Sequence, residues 1–122
     1  MPDVYLNINE ADPILLAEIA DGLEIRAALP QQIKILKTYL NDINFPENAR
    51  VLDVGCGTGA QSRTLIKRPD VIEVVGADKA KYLLSRARDL SHGIKGLTFV
   101  EASGDSLPFN TESFDVIVAH TL

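Results

Sequence analysis

The sequence predicts an α/β fold, an open and mostly parallel sheet with helices packed on it. Three observations predict it. From Arg50 onward, short apolar runs alternate with helical patterns in the order β-α-β-α-β, followed by a further β. The runs are apolar nearly throughout rather than alternating, as strands covered on both faces are. The first of them ends in a cluster of glycines that opens a helix.

The elements follow in chain order. Asp12 is placed to cap a helix with Pro13 at its first position and Ile14, Leu15, Ala17, Ile19 and Ala20 after it, until Gly22 stops the run. A second helix is predicted over residues 27–42, where Ile33, Leu36, Tyr39, Leu40 and Ile43 fall at helical spacing and Pro46 lies just beyond. Its apolar face needs a sheet to cover. Val51 to Val54 reads as the first strand and residues 58–67 as the helix after its glycines. Val71 to Ala77 is the second strand, ending at Asp78, and residues 79–90 form a helix with Leu83, Leu84, Ala87 and Leu90 on one side, broken by Gly93 and Gly96. Residues 97–100 and 114–119 are the third and fourth strands.

Bulk properties narrow the class. A chain of 122 residues fits one domain, and 46% hydrophobic with 24% charged residues excludes disordered, collagen-like and disulfide-rich classes. Residues 1–49 hold eight acidic and three basic side chains, residues 50–122 nine of each, so the net charge of −5 sits in the N-terminal arm. Lys79, Lys81, Arg86 and Arg88 form the only basic cluster and read as a solvated helix face; no nucleic-acid partner is expected. Cys56 is the single cysteine, which excludes an internal disulfide and a zinc site of several thiolates and suits a reducing compartment. With no basic, apolar leader at residues 1–10 and no apolar stretch near the ~20 residues of a membrane span, the expected location is cytoplasmic.

The chemistry concentrates in Val51-Leu52-Asp53-Val54-Gly55-Cys56-Gly57-Thr58-Gly59. Glycines lacking Cβ allow positive φ and the close approach of a ligand, and the helix that follows presents the positive end of its dipole. Gly55, Gly57 and Ala60 also satisfy the G-x-G-x-x-G/A dinucleotide fingerprint. Asp53 shifts the balance, because a carboxylate beside the turn repels a pyrophosphate and attracts an ammonium or sulfonium. Asp78, 19 residues after Gly59, brings a second carboxylate to the neighbouring strand end, suited to a ribose diol or to capping the next helix.

The segment closely resembles the first motif of the class I S-adenosylmethionine-dependent methyltransferases, an acidic residue followed by G-x-G-x-G, and the resemblance extends over residues 27–122. It implies a Rossmann-like sheet with S-adenosylmethionine as cofactor. By it, Asp53 holds the methionine part, directly or through water, and Gly55, Cys56 and Gly57 let the cofactor lie against the backbone. Asp78 then binds the ribose hydroxyls. Lys79 stands where the family has an apolar residue on the adenine, a place its aliphatic stem can fill.

Glu101 to Phe109 resembles the loop that frames adenine. Aligned on Leu107-Pro108-Phe109, it puts Ser103 at the position that binds the adenine amino group and Gly104 at the backbone N–H that meets a ring nitrogen; a local shift would instead bring in Asp105. Phe114-Asp115-Val116-Ile117 matches the fourth motif, with Asp115 structural and His120 near the methyl group as the one candidate for a base.

The expected activity is methyl transfer to a small-molecule or lipid-like acceptor, with neither metal nor covalent catalyst. The expected organisation is an arm over residues 1–49, with Tyr5 and Arg26 as possible contributors to the site, and a cofactor-binding half over residues 50–122. The family's sheet has seven strands and the resemblance breaks off at the fourth. The chain is therefore expected to be a fragment, or its apolar edge to be completed by another chain. Two other functions compete: a noncatalytic cofactor-binding or assembly module, and an NAD-type oxidoreductase.

Overall fold

A computed structural model describes residues 7–103 and 105–119. Its centre is a four-stranded, wholly parallel sheet: β1 (Ala49–Val54), β2 (Val71–Asp78), β3 (Leu97–Glu101) and β4 (Val116–Val118), in spatial order β3-β2-β1-β4. The helices are α1 (Pro13–Ala27), α2 (Pro30–Asn41), α3 (Ala60–Ile66) and α4 (Lys81–Leu90), with 3-10 turns at Ile8–Glu10 and Thr111–Ser113. β1 to β3 step outward in one direction, and the chain then returns to lay β4 on the far side of β1. This reversal opens a crevice at the carboxyl ends of the strands, where open α/β sheets bind ligands.

Register explains the packing. Val51 lies level with Val74 and Val116, and Val74 with Leu97. With Leu40, Ala49, Leu65, Leu84 and Val118 they form the main core, to which Leu36 and Ile43 add their partly buried side chains. Each fully buried aliphatic side chain contributes about 1.5–3 kcal/mol. At the start of β4, Asp115 accepts the backbone N–H of Arg50 (2.9 Å) and donates its own to the Arg50 carbonyl (2.8 Å), which gives it the structural part expected of it.

The sequence misplaces several boundaries, each for an identifiable reason. Gly22 does not end α1, which runs on to Ala27. A helical glycine costs roughly 1 kcal/mol against alanine, and the last turns of α1 are held by Leu23 and Glu24, which reach the glycine turn. The second helix begins at Pro30 rather than residue 27, because Leu29 precedes proline and takes an extended conformation (ψ 135°). On α2 only Leu40 of the predicted face is fully buried, while Ile33 and Tyr39 stay exposed. The third helix starts at Ala60, two residues late, because Gly59 is left-handed (φ 85°). α4 starts at Lys81 because Asp78 holds the preceding residues in a turn. β4 is shorter than predicted, and Ile117 on it is exposed. Among the described residues no helix is long and apolar enough to cross a membrane.

Candidate functional site

The turn after β1 is fastened to the end of β2. The backbone N–H groups of Gly55 and Cys56 both donate to the Ala77 carbonyl (2.8 and 3.0 Å), and Gly55, Gly57 and Gly59 all have positive φ (73°, 55° and 85°). Two glycines are also required by the ring of Phe99. A Cβ at Gly59 would stand 2.8 Å from its Cζ, and one at Gly76 would stand 2.7 Å from its Cδ1. Gly76, inside β2, and Phe99, on β3, were not singled out in the sequence; a glycine within a β-branched run is the signal that marks such a close approach.

Asp53, on β1, is 1% exposed. Its Oδ2 accepts the Ser62 hydroxyl (2.6 Å) and its Oδ1 accepts Nε2 of Gln61 (2.8 Å), both donors coming from the first turn of α3. Burial pushes its pKa up to about 6 against the pull of these two hydrogen bonds, and the Asp78 carboxylate adds to the rise. Asp53 is thus a shielded charge beside the turn. The Cys56 thiol is buried, its sulfur 2.9 Å from where a Gly76 Cβ would stand. Burial pushes its pKa up, with the charges of Asp53 and Asp78 adding to the effect, so it is held as an unreactive thiol.

Asp78 is half-buried, and backbone amides occupy both its oxygens: Oδ2 accepts the N–H of Gly57 (2.8 Å) and Oδ1 that of Ala80 (2.9 Å). The capping position of α4 is Ala80 rather than Asp78. The first turn is served from a distance by Asn9, whose Oδ1 accepts the N–H of Lys81 (2.9 Å) while its Nδ2 donates to the Lys79 carbonyl (2.8 Å). A single amide thereby holds the segment that follows Asp78, with the Lys79 side chain exposed beside it.

Glu24, on α1, receives the Thr58 hydroxyl on Oε2 and an Arg63 guanidinium N–H on Oε1 (2.5 Å). Arg63 also donates to the Thr58 carbonyl (2.8 Å). Leu23 lies over the turn, its Cδ1 3.4 Å from where a Gly57 Cβ would be. The basic cluster divides: Arg86 pairs with Asp21 of α1 (2.8 Å) and Arg88 donates to the Phe99 carbonyl (3.0 Å). The N-terminal arm was legible as helix but not as a set of partners for the turn, because such pairings span 34 to 72 residues of sequence.

Leu23, Glu24, Thr58 and Arg63 line part of one cavity of about 930 Å³. Asp53, Gly55, Cys56, Gly57, Asp78, Lys79, Ser103 and Asp105 all border it, and between α2 and α3 its lining is mixed, with Ile33, Leu36 and Ala60 beside Gln32, Lys37, Thr64 and Lys67. Ser103 and Asp105 share a turn in which the Ser103 Oγ accepts the Asp105 N–H (3.2 Å), so both alternatives for the adenine reach the cavity. Arg26 is exposed and does not border it. Tyr5, Gly104 and His120 lie outside the described residues. Among the described residues no group of three or more His, Cys, Asp or Glu is gathered as metal ligands would be.

Residues 51–122 match the family described as methyltransferase domain. The chain belongs to that family, and with it to the S-adenosylmethionine-dependent methyltransferases that its motifs resemble. It is 36% identical over 75 residues to 2-methyl-6-phytyl-1,4-hydroquinone methyltransferase 2 of Oryza sativa, covering 62% of this chain and 21% of the relative. It is 35% identical over 80 residues to sterol 24-C-methyltransferase of Candida albicans, covering 63% and 21%. The chain therefore spans about a fifth of the length of these relatives. Among solved structures, the YcgJ protein of Bacillus subtilis superposes with a TM-score of 0.63 at 29% identity, over 69% of this chain and 36% of that one. The expected fold class, a Rossmann-like parallel sheet with flanking helices, is the one observed.

Proposed function

We propose that this chain binds S-adenosylmethionine and serves methyl transfer to a small-molecule or lipid-like acceptor. One observation carries the reading: a glycine turn with two carboxylates, Asp53 and Asp78, opening at the reversal of strand order into a cavity of about 930 Å³. Small-molecule sites run from about 300 to 1,000 Å³, so the volume admits a nucleoside cofactor with space to spare. Two negative charges at the turn favour a cationic ligand over a pyrophosphate.

Roles follow from what each residue presents. Gly55, exposed and without a Cβ, offers a flat backbone surface, continued by the backbone of Cys56 and Gly57. Asp78 keeps further lone pairs on each oxygen to accept the hydroxyls of a ribose. The stem of Lys79 covers one face of the base. Ser103 or Asp105 accepts the adenine amino proton, beside the backbone of Gly104. His120 is the candidate base of the acceptor side. When bound, the cofactor supplies a methyl group on a sulfonium, which an in-line nucleophile takes while the S–C bond breaks. The protein's task is to hold the two partners in line and keep water out.

Relatives named for sterol and phytyl-hydroquinone methylation support a small-molecule or lipid-like acceptor. A second chain, or further sheet, at the β4 edge would complete the acceptor side. Calorimetric titration of the chain with S-adenosylmethionine, S-adenosylhomocysteine and NAD tests the cofactor. The expected result is binding of the first two and not the third; NAD binding more tightly overturns the proposal.

A further inference from the structure

The cavity is polarised along its length. Four carboxylates border it, Glu24, Asp53, Asp78 and Asp105, and they stand on α1, on β1 and β2, and in the turn after β3. Its other arm runs between α2 and α3, and neither of these helices contains an acidic residue. Lys37, on α2, and Lys67, directly after α3, border that arm from its two sides. The arginines nearby are paired, Arg63 with Glu24 and Arg68 with Asp70. Among the described residues neither lysine has an ion-pair or hydrogen-bond partner.

Chain direction sets the two ammoniums away from the glycine turn. α2 feeds β1 at the amino edge of the sheet, and α3 leaves the turn at the carboxyl edge, so both helices run away from the turn in the same sense. At about 1.5 Å per residue, Lys67 stands about 10 Å along α3 from Ala60. Between the turn and the lysines lie Ile33, 41% exposed, and the partly buried Leu36. Thr64 faces the same arm with its hydroxyl already donating to the Ala60 carbonyl (3.2 Å). A ligand here must bring an anion for two ammoniums and an apolar body for Ile33, Leu36 and the lysine stems. A cationic ligand is repelled, and a neutral one leaves both charges unmatched. A cleft walled by one sign of charge also concentrates the field that draws such an anion in.

We infer that the arm between α2 and α3 is a second binding site, which takes an anionic amphiphile with its charged head between Lys37 and Lys67 and its apolar body along Ile33 and Leu36. This ligand and a nucleoside at the glycine turn occupy oppositely charged ends of one cavity, and the two bind together. The inference does not depend on the identity of the cofactor.

The test uses decanoate as probe, with decanol and decylammonium as neutral and cationic controls, each titrated calorimetrically with and without saturating S-adenosylhomocysteine. Decanoate should bind in both conditions, decanol more weakly and decylammonium not at all. Lys37→Gln and Lys67→Gln, both at exposed positions, should each weaken decanoate about three- to tenfold, between the loss of an exposed ion pair and that of a hydrogen bond to a charged group. Lys34→Gln, on α2 but outside the cavity lining, should change it less than about twofold. In the unmodified chain, decanoate should shift the backbone amide resonances of Ile33, Leu36 and Thr64 and leave those of α4 in place. Decanol binding as tightly as decanoate, Lys34→Gln weakening it as much as the two lining variants, or displacement of decanoate by S-adenosylhomocysteine overturns the inference. None of these outcomes bears on whether the nucleoside binds at the glycine turn, so the cofactor reading stands or falls separately.

Discussion

Asp53 and Asp78 stand near the carboxyl ends of neighbouring parallel strands, yet the protein holds them in opposite ways. Asp53 is enclosed and bonded by side chains, Gln61 and Ser62. Asp78 is half-exposed and bonded by backbone, the N–H groups of Gly57 and Ala80. A carboxylate gripped by backbone amides fixes the path of the chain, so Asp78 is a knot tying the glycine turn to the start of α4. A carboxylate enclosed by side chains keeps its charge at a cost and fixes no backbone, so what Asp53 contributes is charge. Two identical side chains therefore divide shape and charge between them.

Asp78→Ala should give the largest effect. It frees two backbone N–H groups and removes the acceptors proposed for the ribose, so the chain should lose about 2–4 kcal/mol of stability, from roughly 1–3 kcal/mol per hydrogen bond left unmade. Urea unfolding measures the loss, and titration should show S-adenosylhomocysteine binding abolished. An alanine variant as stable as the parent would break the comparison, because Asp78 would then fasten nothing.

Asp53→Asn should act with the opposite sign. The native carboxyl titrates near 6 against 3.8 when unperturbed, so between those values the folded chain holds the proton that the unfolded chain releases. Stability consequently falls as pH rises from about 4 to about 6 and is level above that, and ionised Asp53 costs about 3 kcal/mol at pH 8. Asparagine removes that cost while keeping a polar group for Ser62 and Gln61. The variant should be more stable than the parent at pH 8 by roughly 1–3 kcal/mol, with the difference vanishing near pH 4. In the parent, affinity for S-adenosylhomocysteine should drop as pH falls below about 6, since an ammonium favours the ionised form. A variant less stable than the parent at pH 8 would show Asp53 to be a structural knot of the same kind as Asp78.

The difference between these residues also shows what the sequence could reveal. Strand, glycine turn and helix were legible because they are local: Val51 to Gly59 states the run, its end and the opening of a helix within nine residues. The two carboxylates were legible as types at the right places. Their surroundings were not, because the proton balance of Asp53 depends on enclosure by a folded helix, and the bonds of Asp78 depend on a turn 21 residues away. The buried Oε1 of Gln61, which has no hydrogen-bond partner among the described residues, was unread for the same reason, since such an atom exists only once everything around it is placed. Gly22 failed as a stop because its helix gains partners elsewhere.

The smallest of the expected effects falls on Glu24, a third carboxylate that couples the arm to the turn. Its oxygens hold the Thr58 hydroxyl and the Arg63 guanidinium, with side chains 26% exposed for Glu24 and 16% for Arg63. Partly shielded pairs of this kind lie between exposed bridges, worth up to about 1 kcal/mol, and buried ones, whose breakage costs about 3–5 kcal/mol. Glu24→Gln keeps an acceptor and a similar volume but removes the charge, so the stability loss should be about 1 kcal/mol. Hydrogen exchange should locate it, with protection lowered at the α3 amides that follow Gly59 and unchanged in β2. Protection falling equally along β2 would mean that the arm supports the whole sheet. Loss confined to the turn would place Glu24 with Asp78 as a fastening of backbone shape and leave Asp53 as the charge of the site.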